Sequence, residues 1–171
     1  MRNLKKVIAL VAVFAMLVST VAFAQVFSDV ASTDNYAEAI ETLSALGIIT
    51  GDDENNDGVM EFRPNDTITR AEVTAIVSRI QGMNNAAQTN TSFADVPSTH
   101  WASGYVAQAA NQGIVNGYGD GNFGPEDNVK YQEMIKMLME TLGYRPFADD
   151  QGGYPTGYLT AAQRYGVLDD V

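Results

Sequence analysis

An all-α fold of tandem helix–loop–helix repeats is predicted by three features of this 171-residue sequence. The chain repeats itself, which sets its architecture. Apolar residues within each copy recur at helical spacing and are closed off by glycine. The stretch Thr69-Arg70-Ala71-Glu72 has the reciprocal pattern of a helix start: a hydroxyl residue followed three positions later by Glu, ahead of Val73, Ile76, Val77 and Ile80.

Taken in order, residues 1–24 read as a secretory signal peptide. Arg2, Lys5 and Lys6 form a basic start, Val7 to Leu17 a short apolar run, and Ala22-Phe23-Ala24 a small-x-small cleavage site. The alternative is an uncleaved membrane anchor. No later stretch is apolar and long enough to span a bilayer, so the processed chain is not expected to be embedded in one. Removing the leader takes three of the ten Lys and Arg and leaves all 21 Asp and Glu, a net charge of −14. That excess of acid excludes nucleic-acid binding, which needs a basic face. With no cysteine, no disulfide staples the fold.

The first repeat spans 25–84. It opens on Phe27-Ser28-Asp29-Val30, continues through a helix carrying Tyr36, Ala39, Ile40, Leu43 and Leu46, and bends at Gly47-Ile48-Ile49-Thr50-Gly51. Phe62, Pro64 and a second helix from about Thr69 to Arg79 complete it. A linker, 85–91, leads to the second repeat, 92–145. That repeat runs from Phe93-Ala94-Asp95-Val96 through Trp101 to Gln112, Gly113-Ile114-Val115-Asn116-Gly117, Phe123, Pro125 and a helix with Glu133. The copies are 66 residues apart up to Gly51 and Gly117 and 61 apart afterwards, so the extra length of the first lies in one loop. A partial third repeat, 146–171, matches Phe147-Ala148-Asp149-Asp150 to Phe93–Val96, Tyr154 to Trp101 and Tyr158 to Tyr105. It lacks the loop and second helix, which a longer chain or another chain would supply. No sheet is expected.

Arg70 is the unusual residue of the opening pattern. A cation at a helix start is disfavoured by roughly 0.3–1 kcal/mol. It suits a site where an anion lies between guanidinium and free N–H groups; the alternative is a solvated Arg or one paired with a nearby Asp. In the second copy Lys130-Tyr131-Gln132-Glu133 replaces the motif, so the hydroxyl and the Arg are both lost.

The extra loop, Asp53-Glu54-Asn55-Asn56-Asp57-Gly58, resembles the front half of a calcium loop. Asp53, Asn55 and Asp57 stand at positions 1, 3 and 5, with Glu61 as a further oxygen. Position 12 is Pro64, so a weak calcium site is one expectation and a solvated acidic turn the other. No cofactor is otherwise called for. The single histidine, His100, has no Cys or second His beside it, and the acidic pairs are sequence neighbours, so nothing points to catalysis.

Together, Phe-x-Asp-Val, Trp101-Ala102, the Gly-Ile-x-x-Gly bend, Phe-x-Pro and Ile68-Thr69-Arg70-Ala71-Glu72 resemble the S-layer homology family over the whole processed chain. The resemblance implies three copies packed as a pseudo-threefold helical prism, located at the bacterial surface or S-layer. It implies non-covalent anchoring to the wall through pyruvylated secondary polysaccharide linked to peptidoglycan. Arg70, in the Thr69–Glu72 cap, would grip the ketal-pyruvate carboxylate. Trp101 would offer an apolar face to sugar, and Gly117-Tyr118-Gly119-Asp120 would let backbone approach the ligand. Trp101 as a core aromatic and the glycine loop as a plain turn are the alternatives at those positions. Two further functions stay open: a surface-lattice protein that self-associates, with calcium as a control, and a surface enzyme with its catalytic domain beyond Val171.

Overall fold

The computed structural model describes residues 27–53, 55–84 and 86–169; the expected signal peptide lies outside them. Among the described residues there are six helices and two isolated β-bridges, so the fold is all-α. The helices are α1 (Ala37–Ala45), α2 (Arg70–Ile80), α3 (Ser103–Asn111), α4 (Tyr131–Thr141), α5 (Arg145–Asp150) and α6 (Thr156–Arg164). No described helix is long and apolar enough to cross a membrane.

The chain forms two compact units, and their division does not follow the repeats. Among the described residues, one takes in 27–42 with Gly51–Phe62; the other takes Leu43–Thr50 and 63–169. In the smaller unit, Phe27 is buried against Phe62, ring centroids 5.8 Å apart. Asp29 accepts from the Phe62 N–H at 2.8 Å. Of the helical stripe read from the sequence in α1, Ile40 is buried and Leu43 half-buried, whereas Tyr36, Ala39 and Leu46 are exposed. The buried pair is Ala37 and Ile40, a narrower i, i+3 contact line than the expected one.

The larger unit repeats the same joint. Phe93 meets Phe123 at 5.4 Å, and Asp95 accepts from the N–H groups of Phe123 and Gly124 at 2.8 and 2.7 Å. The Phe-x-Asp opening is thus a clamp: its ring packs on the ring of Phe-x-Pro and its carboxylate holds the backbone there. Gly117 is required by close approach. A Cβ on it would stand 2.5 Å from the Asn122 carbonyl and 2.6 Å from the Phe93 ring. Gly117→Ala is expected to cost roughly 1–3 kcal/mol by overpacking, read as a lower urea midpoint. Gly119→Ala meets no neighbour within 4 Å, but at a φ of 91° it reports backbone strain alone.

Two apolar cores lie in the larger unit, and each is shared between repeats. The first joins Ala71, Val73 and Val77 of α2 to Val96, Val106, Ala109, Ile114, Phe123 and Met137 of the second repeat. The second joins Ile135 and Met139 of α4 to Ala148, Tyr158, Ala161 and Ala162 of the third. So α2 packs on α3 and α4, and α4 packs in turn on α6. Helix α4 serves both cores, Met137 facing one and Ile135 and Met139 the other. In both cases the second helix of one repeat covers the first helix of the next.

The third repeat departs from its expected opening. Phe147-Ala148-Asp149-Asp150 does not form the turn seen at Phe93–Val96; it belongs to helix α5, with Pro146 in its first turn. Proline is well suited there because that N–H needs no helical partner. The carboxylate counterpart of Asp95, Asp149, is therefore on a helix rather than clamping a loop.

Candidate functional site

The structure gathers the Thr69–Glu72 motif and the glycine loop at the junction of the first two repeats. Helix α2 begins with both halves of its capping box. Thr69 Oγ1 accepts from the Glu72 N–H at 3.2 Å, and Glu72 Oε2 accepts from the Thr69 N–H at 2.8 Å. The other Glu72 oxygen accepts from Arg63 Nη2 at 3.2 Å. Thr69 and Glu72 are thus committed to the cap. In α4 only half of the box survives: Glu133 accepts from the Lys130 N–H at 3.1 Å, and Lys130 brings no hydroxyl.

The first N–H groups of α2 are not free for an anion, contrary to the expectation from sequence. Arg70 N–H donates to the Asp127 carbonyl and Ala71 N–H to the Pro125 carbonyl, each at 2.9 Å. Thr69 bridges to Asn128, and Val129 N–H donates to Ile68 O at 3.0 Å. The backbone of the second repeat caps the helix of the first, satisfying donors that every helix start leaves open.

Arg70 itself is only 7% exposed. Its Nε donates to the Phe123 carbonyl and its Nη2 to the Asn116 carbonyl, both at 3.0 Å. The guanidinium lies 4.8 Å from the Tyr118 ring centroid and 4.7 Å from that of Phe123. Its acceptors are neutral, and no carboxylate among the described residues lies within salt-bridge reach of it. Two of the three guanidinium nitrogens are thus held by the protein. What remains is a concentrated positive charge and one terminal nitrogen.

Tyr118 is 54% exposed and donates to Asp127 Oδ2 at 2.9 Å. Burial first, then that hydrogen bond, raises its phenol above the ordinary tyrosine range, while Arg70 works the other way. Asp120 turns back to accept from the Asn122 N–H at 2.9 Å, which with the Asn122 side chain lowers its carboxyl below the ordinary value. Gly117 and Gly119 shape this turn. Trp101 is not a core aromatic: it is 48% exposed and stacks on His100, centroids 5.9 Å apart. The structure thus joins Arg70 to Tyr118 and pairs Trp101 with His100. Sequence reasoning missed Asn116, Phe123 and Asp127 as the groups that fix Arg70. Their signal was the repeat itself, since Phe123 belongs to Phe-x-Pro.

In the extra loop, Asp53 accepts from the N–H groups of Asp57 and Gly58 at 3.0 Å each, and Asp57 from that of Val59 at 2.9 Å. Glu61 pairs with Asp52 through the backbone. Among the described residues no group of three or more His, Asp or Glu side chains gathers around a metal position.

The model of the S-layer homology domain matches residues 26–74 and 92–135. The chain belongs to the S-layer homology family. Over 98% of its length it is 34% identical to a cell surface protein of Thermoanaerobacter kivui and 32% identical to a surface layer protein of Brevibacillus choshinensis. It spans 22% and 15% of the length of those relatives. An amylopullulanase of Thermoanaerobacterium thermosulfurigenes is 44% identical over 68% of this chain, which is 6% of that enzyme. The S-layer homology match and these relatives support a cell-surface location, and a non-catalytic anchoring role for the matched region in general terms.

Proposed function

We propose that this chain anchors an exported protein to the bacterial wall by binding an anionic, pyruvylated secondary polysaccharide. The observation that carries this reading is Arg70, a nearly buried cation with neutral partners. A buried charge without a counter-ion is costly. A ligand carboxylate reaching its remaining nitrogen would supply that counter-ion, with the exposed face of Tyr118 alongside. The net acidity of the chain disfavours a polyanion at long range, so gripping is local.

The test is retention on purified walls, before and after hydrofluoric acid removes the polysaccharide. Binding is expected to fall on stripped walls; equal retention would sink the reading. Arg70→Ala is expected to weaken binding by roughly ten- to hundredfold, the worth of one charge-assisted hydrogen bond. Lys130→Ala, at the counterpart junction without Arg, should leave binding within about twofold. A melting curve on each variant separates lost binding from lost fold.

A further inference from the structure

We infer that His100 is the positioning residue of the exposed Trp101 face, and that it holds this face only while its Nδ1 is unprotonated. His100 is wired at four points. Its N–H donates to the Pro97 carbonyl at 2.8 Å and its carbonyl accepts from the Ser103 N–H at 3.0 Å. Its Nδ1 accepts from the Ala102 N–H at 3.1 Å, and its Nε2 lies 3.3 Å from Glu126 Oε1. An Nδ1 that accepts carries no proton, so the proton sits on Nε2 and is directed at Glu126. The imidazole stacks on Trp101, with planes 27° apart.

Protonation at Nδ1 removes the acceptor for the Ala102 N–H, and Ala102 is fully buried. A buried N–H without a partner is unfavourable, so the turn from His100 to Ser103 must rearrange. Trp101 lies inside that turn. The facing charge is Glu126, on the loop between Pro125 and Asp127; its side chain is largely exposed, so an ion pair there compensates little. The Pro125 and Asp127 carbonyls are the ones that cap α2, so the same loop joins the Trp101 turn to the Arg70 junction. The device is confined to the second repeat, because the counterparts of His100 are Asp34 and Gly153. That Trp101 meets a sugar ring rests on the anchoring reading above; its positioning by His100 does not.

Trp101 is the only tryptophan, so its fluorescence reports the turn directly. Between pH 8 and 5, wild-type emission is expected to follow a single transition. His100→Asn keeps an acceptor near the position of Nδ1 and should be pH-independent, matching the wild type at pH 8. His100→Gln reaches Glu126 but leaves Ala102 unserved, and should match the wild type at pH 5 throughout. Glu126→Gln should keep the transition. Wall retention of the wild type should fall about threefold or more across the same range, and that of the Asn variant should stay level. Flat wild-type emission, or identical Asn and Gln variants, would overturn the inference. An emission transition in a protein that binds walls at no pH would instead overturn the anchoring reading and leave His100 in its role.

Discussion

Truncating Phe123 to alanine is expected to lower stability by about 3–5 kcal/mol, a large part of the 5–15 kcal/mol typical of a domain. The side chain is fully buried in the first shared core and packs on Phe93. Its backbone is also held at both ends, N–H by Asp95 and carbonyl by Arg70. Removing the ring opens a cavity under the guanidinium and loosens the carbonyl that fixes Arg70. Urea denaturation measures the loss as a lower midpoint at unchanged slope. The control is Tyr118→Ala, which strips the other ring from Arg70 at an exposed position. It should cost under about 1 kcal/mol, the worth of a surface cation–π contact. Equal losses would mean that the cation, not the core, sets the value of Phe123.

Glu140→Ala is the second large effect, expected to cost about 3–5 kcal/mol as the breaking of a buried ionic cluster. The Glu140 side chain is 4% exposed. It accepts from Tyr158 Oη at 2.5 Å and from Arg145 Nε, and lies 3.4 Å from Lys136 Nζ. Arg145 also donates to the Gly113 carbonyl, so the cluster binds α4, α5, α6 and the glycine bend of the second repeat. Burial first, then the bond to Glu140, raises the Tyr158 phenol well above its ordinary value, and Glu140 likewise raises Arg145. For a tyrosine raised in this way, the stability contribution is complete below about pH 10 and declines only as pH climbs beyond it. Chemical denaturation at pH 7 checks the alanine variant. Glu140→Gln should lose less, because it keeps an acceptor for Tyr158. If alanine and glutamine lose equally, charge rather than hydrogen bonding holds the cluster.

The counterpart of Glu140 in the first repeat is Arg79, which reaches Tyr105 Oη at 3.4 Å and the Ile48 carbonyl at 3.3 Å. Both junctions therefore tie a tyrosine and a bend carbonyl with an arginine, but the second brings that arginine from position 145 and inserts a carboxylate between. Local patterns could not reveal this, because the tyrosines and bend carbonyls lie 18 to 32 residues from the groups that hold them, even though Glu140 and Arg145 are five apart. The same applies to Arg70. Its cap was legible in Thr69 and Glu72, which bond to each other across three positions. Its enclosure by Asn116, Phe123 and Tyr118 was not, since only the folded pairing of 67–71 with 125–129 brings them in. The exposure of Tyr36 and Leu46 has the same origin: periodicity marks apolar positions but not which of them find a partner. Likewise, the match of Phe147–Asp150 to Phe93–Val96 was real as letters. Pro146 and the preceding Gly143 nonetheless placed those letters on a helix.

The offset between sequence repeat and shared core bears on how such a module can be cut or joined. A scissile point in the 85–91 linker looks safe by sequence, yet it severs α2 from the helices that cover its apolar stripe. Excised at those bounds, the second repeat would carry a bare face where Val73 and Val77 had been, and would aggregate or recruit a substitute. A cut placed instead just before Arg63 keeps α2 with the helices that cover it and gives up the Leu43–Thr50 segment of the larger unit, with its bond from Arg79 to the Ile48 carbonyl. Grafting, shuffling or trimming of this chain is therefore best done half a repeat out of step with its own motif.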